Sequence, residues 1–157
     1  MNPTPEKTSV MAPFILMLFL YFIVGLFTVI NQQFQVPLKS ALLPHDGNMT
    51  NALVTLLNFS WFLAYPFSEG FATRWVDRLG YRKTSVYSLL IFIAGLGFYE
   101  AAVLLHIYAP SYITIMGNPI FTGFFIFLSG SFVIGMAVTI LQVVTGLYLD
   151  VNPVGKT

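Results

Sequence analysis

The sequence predicts an all-α, polytopic membrane protein with four transmembrane helices, and three observations lead there. Hydrophobic residues make up 57% of the 157 residues and charged ones only 8%, whereas a soluble domain is about a quarter charged. Four apolar stretches are each long enough to cross a bilayer, which takes about 20 residues of helix. The segments between them carry breaker and turn residues instead: "PHDGNMT", "FATRWVDRLGYRKT" and "HIYAPSYITIMGNP". At a mean hydropathy of +0.79, the chain lacks the polar groups to wet a surface, so membrane lipid is its expected surroundings. Residues 1–157 read as one helical unit.

The first span covers about 11–39, opening with "PFILMLFLYFIVGLFTVI" and closing with the more polar "NQQFQVPLK". Its apolar run is too long for a cleaved signal peptide, and no small-residue cleavage site comes after it. The second span covers about 51–75, the third 84–105 and the fourth 120–149. Gly95 and Gly97 in the third, with Gly130 and Gly135 in the fourth, suit close helix packing. Pro37 and Pro66 are expected to bend their helices.

The charges set a direction. Lys7 precedes the first span, Arg74, Arg78, Arg82 and Lys83 lie between the second and third, and Lys156 comes after the fourth. Only Lys39 falls on the opposite side, and 106–118 holds no Lys or Arg. Short cytoplasmic loops keep positive charge, so both termini are expected in the cytoplasm, with residues 71–84 a cytoplasmic loop. Gly80 suits a tight turn there. Asp77 would favour a helix N-terminus, and Arg78 a C-terminus or an acid such as Asp150.

Polar residues at membrane depth are the candidate functional groups, because lipid penalises them unless they face the bundle or a wet cavity. Asn31 and Gln35 are four apart and share a helix face; Gln32 and Gln35, three apart, nearly do, while Gln33 points elsewhere. Amides both donate and accept hydrogen bonds, which suits a hydroxyl-rich ligand. The same residues would equally serve as interhelical glue, at about 0.6 kcal/mol each. Asn58 and Tyr65 read as packing. Glu69 lies five residues before Arg74, within reach of an ion pair if the arginine snorkels; alternatively it is a proton carrier. Glu100 is expected near the outer interface.

Several function classes fall away. Cysteine is absent, which excludes disulfides, thiol catalysis and zinc thiolates. His45 and His106 are lone residues in loops, so no metal site is expected, and no cofactor is implied. No paired carboxylates or nucleophile–base arrangement points to an enzyme. The net charge of +1 gives no reason to expect nucleic acid.

The stretch "DRLGYRK" (Asp77, Arg78, Gly80, Arg82 and Lys83 among its residues) resembles the cytoplasmic signature of the major facilitator superfamily, which lies between that family's second and third helices. It departs at Thr73, where the family usually has glycine. "TVINQQFQVPLK" (28–39) is similar to the first-helix pattern of the L-fucose:proton symporter and glucose/galactose branch, and "TILQVVTGLY" (139–148) to its fourth-helix pattern. "GKT" at the end is similar to the start of the segment leading to a fifth helix. The resemblance implies the first third of a twelve-helix sugar transporter in the bacterial inner membrane, partnered by its remaining helices. It implies substrate contacts at Asn31, Gln32 and Gln142, with Gln35 open between ligand and packing. The family's two membrane acids align with Gln32 and Gln142, which cannot titrate, so sugar binding carries over and proton coupling through those positions does not.

Two functions are therefore expected. One is alternating-access transport of a hexose or deoxyhexose such as fucose, glucose or galactose, by a longer transporter of which this chain alone is an inactive N-terminal part. Asp77, Arg78 and Arg82 would then latch its inward-closed state. The other is a small four-helix accessory or assembly subunit. The first requires further spans encoded beyond Thr157, and the second requires the reading frame to end there.

Overall fold

The computed structural model describes residues 11–33, 37, 40, 43, 48–115 and 117–151. Helix α1 spans Met11–Gln33, helix α2 Asn48–Tyr108, strands β1 and β2 Tyr112–Ile115 and Asn118–Phe121, and helix α3 Thr122–Val151. The described chain is mostly helical, and three helices are long and apolar enough to cross a membrane, which is compatible with a multi-pass membrane protein. Gln35, Lys39 and His45 lie outside the described residues.

Among the described residues the helices long enough to cross a membrane number three rather than four, because the segment expected as a loop at 71–84 is itself helical. Its Arg, Leu, Lys and Trp residues carry no strong breaker on either side of Gly80, so both flanking spans continue through it into the 61-residue α2. Gly80 alone departs, at φ 78° and ψ 166°, a backbone conformation essentially restricted to glycine. There the chain reverses. The rings of Trp75 and Tyr87 lie 6.2 Å apart, although twelve residues of straight helix would separate them by about 18 Å. α2 is thus two arms, 48–79 and 81–108, standing in for the second and third expected spans.

A second departure is a small sheet in what was expected to be an all-α chain. Strands β1 and β2 pair antiparallel from Tyr112 opposite Phe121 to Ile115 opposite Asn118. Gly117, with φ 83°, takes the left-handed position of the two-residue turn between them. Ile120 and Phe121 therefore belong to a strand, and α3 starts at Thr122, whose amide donates to the Ser111 carbonyl at 2.8 Å. His106 is in the last turn of α2, its ring edge-on to Phe121 at 5.0 Å, and not in a loop.

α3 is the centre of the bundle: 61% of its apolar window is buried, against 11% for α1. It meets both arms of α2 along lines of small side chains. On the first arm Ser60, Ala64, Ser68 and Ala72 recur every four residues and are all buried, one helix face by spacing. On the second arm Ser88, Gly95 and Ala102 do the same every seven. A Cβ on Gly135 would stand 2.6 Å from the Trp61 carbonyl oxygen, and one on Gly95 would collide with the Ile134 side chain. Polar groups bridge the same lines: Ser60 donates to the Leu128 carbonyl at 2.9 Å, and the hydroxyls of Tyr99 and Ser131 are 2.9 Å apart. Small residues and interhelical hydrogen bonds are what membrane helices use where burial from water gives little drive.

Three apolar clusters stack along this bundle. Leu43, Leu57, Ala102 and Phe121 close the hairpin end; Val24, Trp61, Ile134 and Val138 fill the middle; Ala72, Val76, Ile140 and Val144 lie toward Gly80. The Tyr81 and Tyr148 rings meet at 5.4 Å, so the Gly80 turn and the C-terminal end of α3 share one end. Helical segments thus alternate in direction, with the charged turn at one end and the hairpin at the other.

Two glycines test this packing. Gly80→Ala forces a side chain into the glycine-only conformation at about 1–3 kcal/mol, and Gly135→Ala overpacks the Trp61 contact at a similar cost of about 1–3 kcal/mol. Both are expected to lower the thermal midpoint of the detergent-solubilised protein. Gly70→Ala, helical with nothing within 4 Å of its Cβ, is expected to match wild type or exceed it by about 0.5–1 kcal/mol. A Gly135→Ala protein melting with wild type would contradict the close α2–α3 approach.

Candidate functional site

The polar cleft lies between α1, the first arm of α2 and α3. It has a volume of about 270 Å³ and is lined by Tyr21, Tyr65, Glu69, Thr139, Gln142, Val143 and Gly146. Helical spacing explains the convergence: Tyr65 and Glu69 are four apart, and from Thr139 the residues Gln142, Val143 and Gly146 come at three, four and seven, one face of α3. Gly146 widens the cleft, since nothing stands within 4 Å of where its Cβ would be. Thr139 donates its hydroxyl proton to the Gly135 carbonyl at 2.8 Å, which leaves its oxygen lone pairs as acceptors. Beside it are the amide of Gln142, the phenols of Tyr21 and Tyr65, and the carboxylate of Glu69. Together these groups can donate to and accept from a ligand bearing several hydroxyls.

A larger apolar cleft of about 380 Å³ lies further along α1. Phe27, Asn31, Trp61, Phe92, Tyr99 and Phe127 are among its lining residues. The Phe27 and Phe92 rings are 4.7 Å apart, and Tyr99 stacks on Phe127 at 3.9 Å. Asn31 supplies an amide to this aromatic surround. Trp61 is 2% exposed, and its indole N–H has no hydrogen-bond partner; the same holds for Asn58 Oδ1 and Ser68 Oγ among the described residues.

The residues singled out from the sequence are therefore distributed. Glu69 and Gln142 share the polar cleft, whereas Asn31 lines the apolar one; Tyr21 and Asn31, ten residues apart, are separated by about 15 Å along α1. Gln32 and Gln33 are exposed and line neither cleft. Asp77, Arg78, Arg82 and Lys83 are exposed around the Gly80 turn, as is Arg74 one turn before Asp77, and no ion pair forms among the described residues. Arg82 and Lys83 line a third cleft, of about 310 Å³, with Val86 and Tyr87. Sequence reasoning missed Tyr21 and Thr139 as cleft residues, and it favoured packing for Tyr65, which also lines the cleft. Thr139 was legible as the residue three before Gln142 on one helix face; Tyr21, surrounded by apolar neighbours, carried no signal.

Compared with protein-family models, with curated proteins and with solved structures, the chain matches none.

Proposed function

We propose that this chain is part of a membrane carrier that moves a hexose or deoxyhexose by alternating access, with the cleft around Gln142 contributing to its sugar site. The observation that carries the reading is the meeting of Tyr21, Tyr65, Glu69, Thr139 and Gln142 in that cleft. Five hydrogen-bonding side chains on three helical segments are costly in lipid, and a ligand rich in hydroxyls gives them partners. The resemblance of Asp77–Lys83 to the major facilitator signature supports it, as does the placing of that stretch at a one-residue reversal between two long apolar arms. In this reading α1, the two arms of α2 and α3 are four spans, both termini face the cytoplasm, and the membrane is the bacterial inner membrane. The thin cover of α1, where only Met17 and Val24 are buried, leaves room for the carrier's remaining helices. Asp77, Arg78 and Arg82 act at the gate and no chemical conversion is involved.

Uptake of labelled L-fucose, D-glucose and D-galactose by the full-length carrier tests this. Gln142→Ala removes amide hydrogen bonds and is expected to raise the half-saturating concentration about tenfold. Gln33→Ala, exposed and outside the cleft, is expected to leave it unchanged; equal losses in the two variants would overturn the assignment.

Glu69 is the one carboxylate among the described residues that line the cleft, the other polar groups there being phenols, an amide and a hydroxyl. On the carrier reading it supplies the carboxylate that Gln32 and Gln142 lack. Uptake by Glu69→Gln measured against external pH is expected to lose the dependence shown by wild type, and an unaltered profile would remove Glu69 from that role.

A further inference from the structure

We propose that the cleft at the Gly80 turn, lined by Arg82, Lys83, Val86 and Tyr87, binds the phosphate headgroup of an anionic phospholipid. The proposal rests on the membrane reading of the apolar helices and not on the sugar reading.

The spacing builds the site. Arg82 and Val86 are four apart, as are Lys83 and Tyr87, so two cations stand one helical turn from an aliphatic side chain and a phenol ring. Both cations are exposed, and neither forms an ion pair among the described residues. The same helix face is then apolar for about two turns: Val86, Leu90 and Ile93 are 50%, 54% and 63% exposed. Two bases at the end of a span, above an open apolar track, match the shape of a phospholipid, with phosphate on the guanidinium and ammonium and an acyl chain along the track. Trp75 and Tyr87, edge to face at 6.2 Å, put aromatic rings with polar tips at the same level, the depth such rings favour at a membrane interface. A diffuse basic loop would attract anionic lipid without a track or a cleft. Here the charges and the apolar stripe lie in register on one helix.

The chemistry recognised is a phosphate ester, which a lipid headgroup or free phosphate could supply, and the lipid is the source the apolar track favours. The test is native mass spectrometry of the full-length protein with phosphatidylglycerol and phosphatidylcholine of matched chains. A base hydrogen-bonded to a phosphate is worth about twentyfold in binding. Arg82→Gln and Lys83→Gln are each expected to lower the preference for phosphatidylglycerol by about that factor, and the charge-conserving Arg82→Lys and Lys83→Arg to retain most of it. Arg74→Gln and Arg78→Gln, at the same end but outside the cleft, are expected to lower it by at most about fivefold, the share of any base near an anionic surface.

Equal losses at all four positions would overturn the site in favour of unlocalised attraction. Inorganic phosphate protecting the delipidated protein from heat as well as phosphatidylglycerol does would assign the cleft to free phosphate instead. The membrane reading beneath the proposal is checked separately: the protein is expected to stay with membranes through an alkaline carbonate wash, and release would overturn that reading and the lipid site with it.

Discussion

The close contact of α3 with both arms of α2 is the constraint on which the rest depends. Three helical segments come together along lines that carry almost no side chain: Ser60, Ala64, Ser68 and Ala72 on one arm, Ser88, Gly95 and Ala102 on the other, Gly130 and Gly135 on α3. In a bilayer, with which these long apolar helices are compatible, the gain from removing apolar surface from water is absent, and van der Waals contact at short range and hydrogen bonds such as Tyr99–Ser131 would hold the helices. Larger residues on those lines would separate the helices and lose both. The reversal at Gly80 serves the same end, since only a sharp, single-residue turn returns the second arm to α3 immediately after the first.

Because α3 is gripped from two sides, the remaining element is the loose one. α1 meets α3 through Val24 and its neighbours and leaves most of its apolar residues exposed. The polar and the apolar cleft both open where α1 leans on the others. Their contents differ with depth, aromatic around Phe27 and hydrogen-bonding around Tyr21. A helix that packs lightly against a rigid core is the element able to move at low cost, and on the carrier reading proposed above it borders the substrate.

Much of this was legible in the sequence, for reasons that can be named. The presence of long apolar helices within 11–33, 48–108 and 122–151 follows from length and hydropathy. The grouping of Glu69 with the Gln142 cleft was not legible, since one residue lies on α2 and the other on α3, and no local pattern fixes their relative rotation. The helical state of 71–84 is hidden because a cluster of charge in an oily chain reads as a loop. Arg, Lys and Leu are nonetheless good helix formers, and only Gly80 interrupts them. The β1–β2 hairpin is hidden for the opposite reason: "YITI" and "NPIF" are short enough to pass for a connecting loop, and Gly117 marks a turn without saying what it joins.

Three buried polar atoms have no partner among the described residues: Asn58 Oδ1, Trp61 Nε1 and Ser68 Oγ. Each such group costs about 1–3 kcal/mol, more than a close-packed arm should tolerate without a reason. All three lie on the first arm of α2: Trp61 lines the apolar cleft, Asn58 is three residues before it, and Ser68 is on the buried small-residue line that meets α3. Unpartnered groups of this kind are satisfied by water or by a neighbouring segment, which for Trp61 would come from the cleft it shares with Phe27 and Asn31 of α1. On the carrier reading a shift of α1 would alter the surroundings of the Trp61 N–H, while Ser68, buried on the line that meets α3, would keep its own.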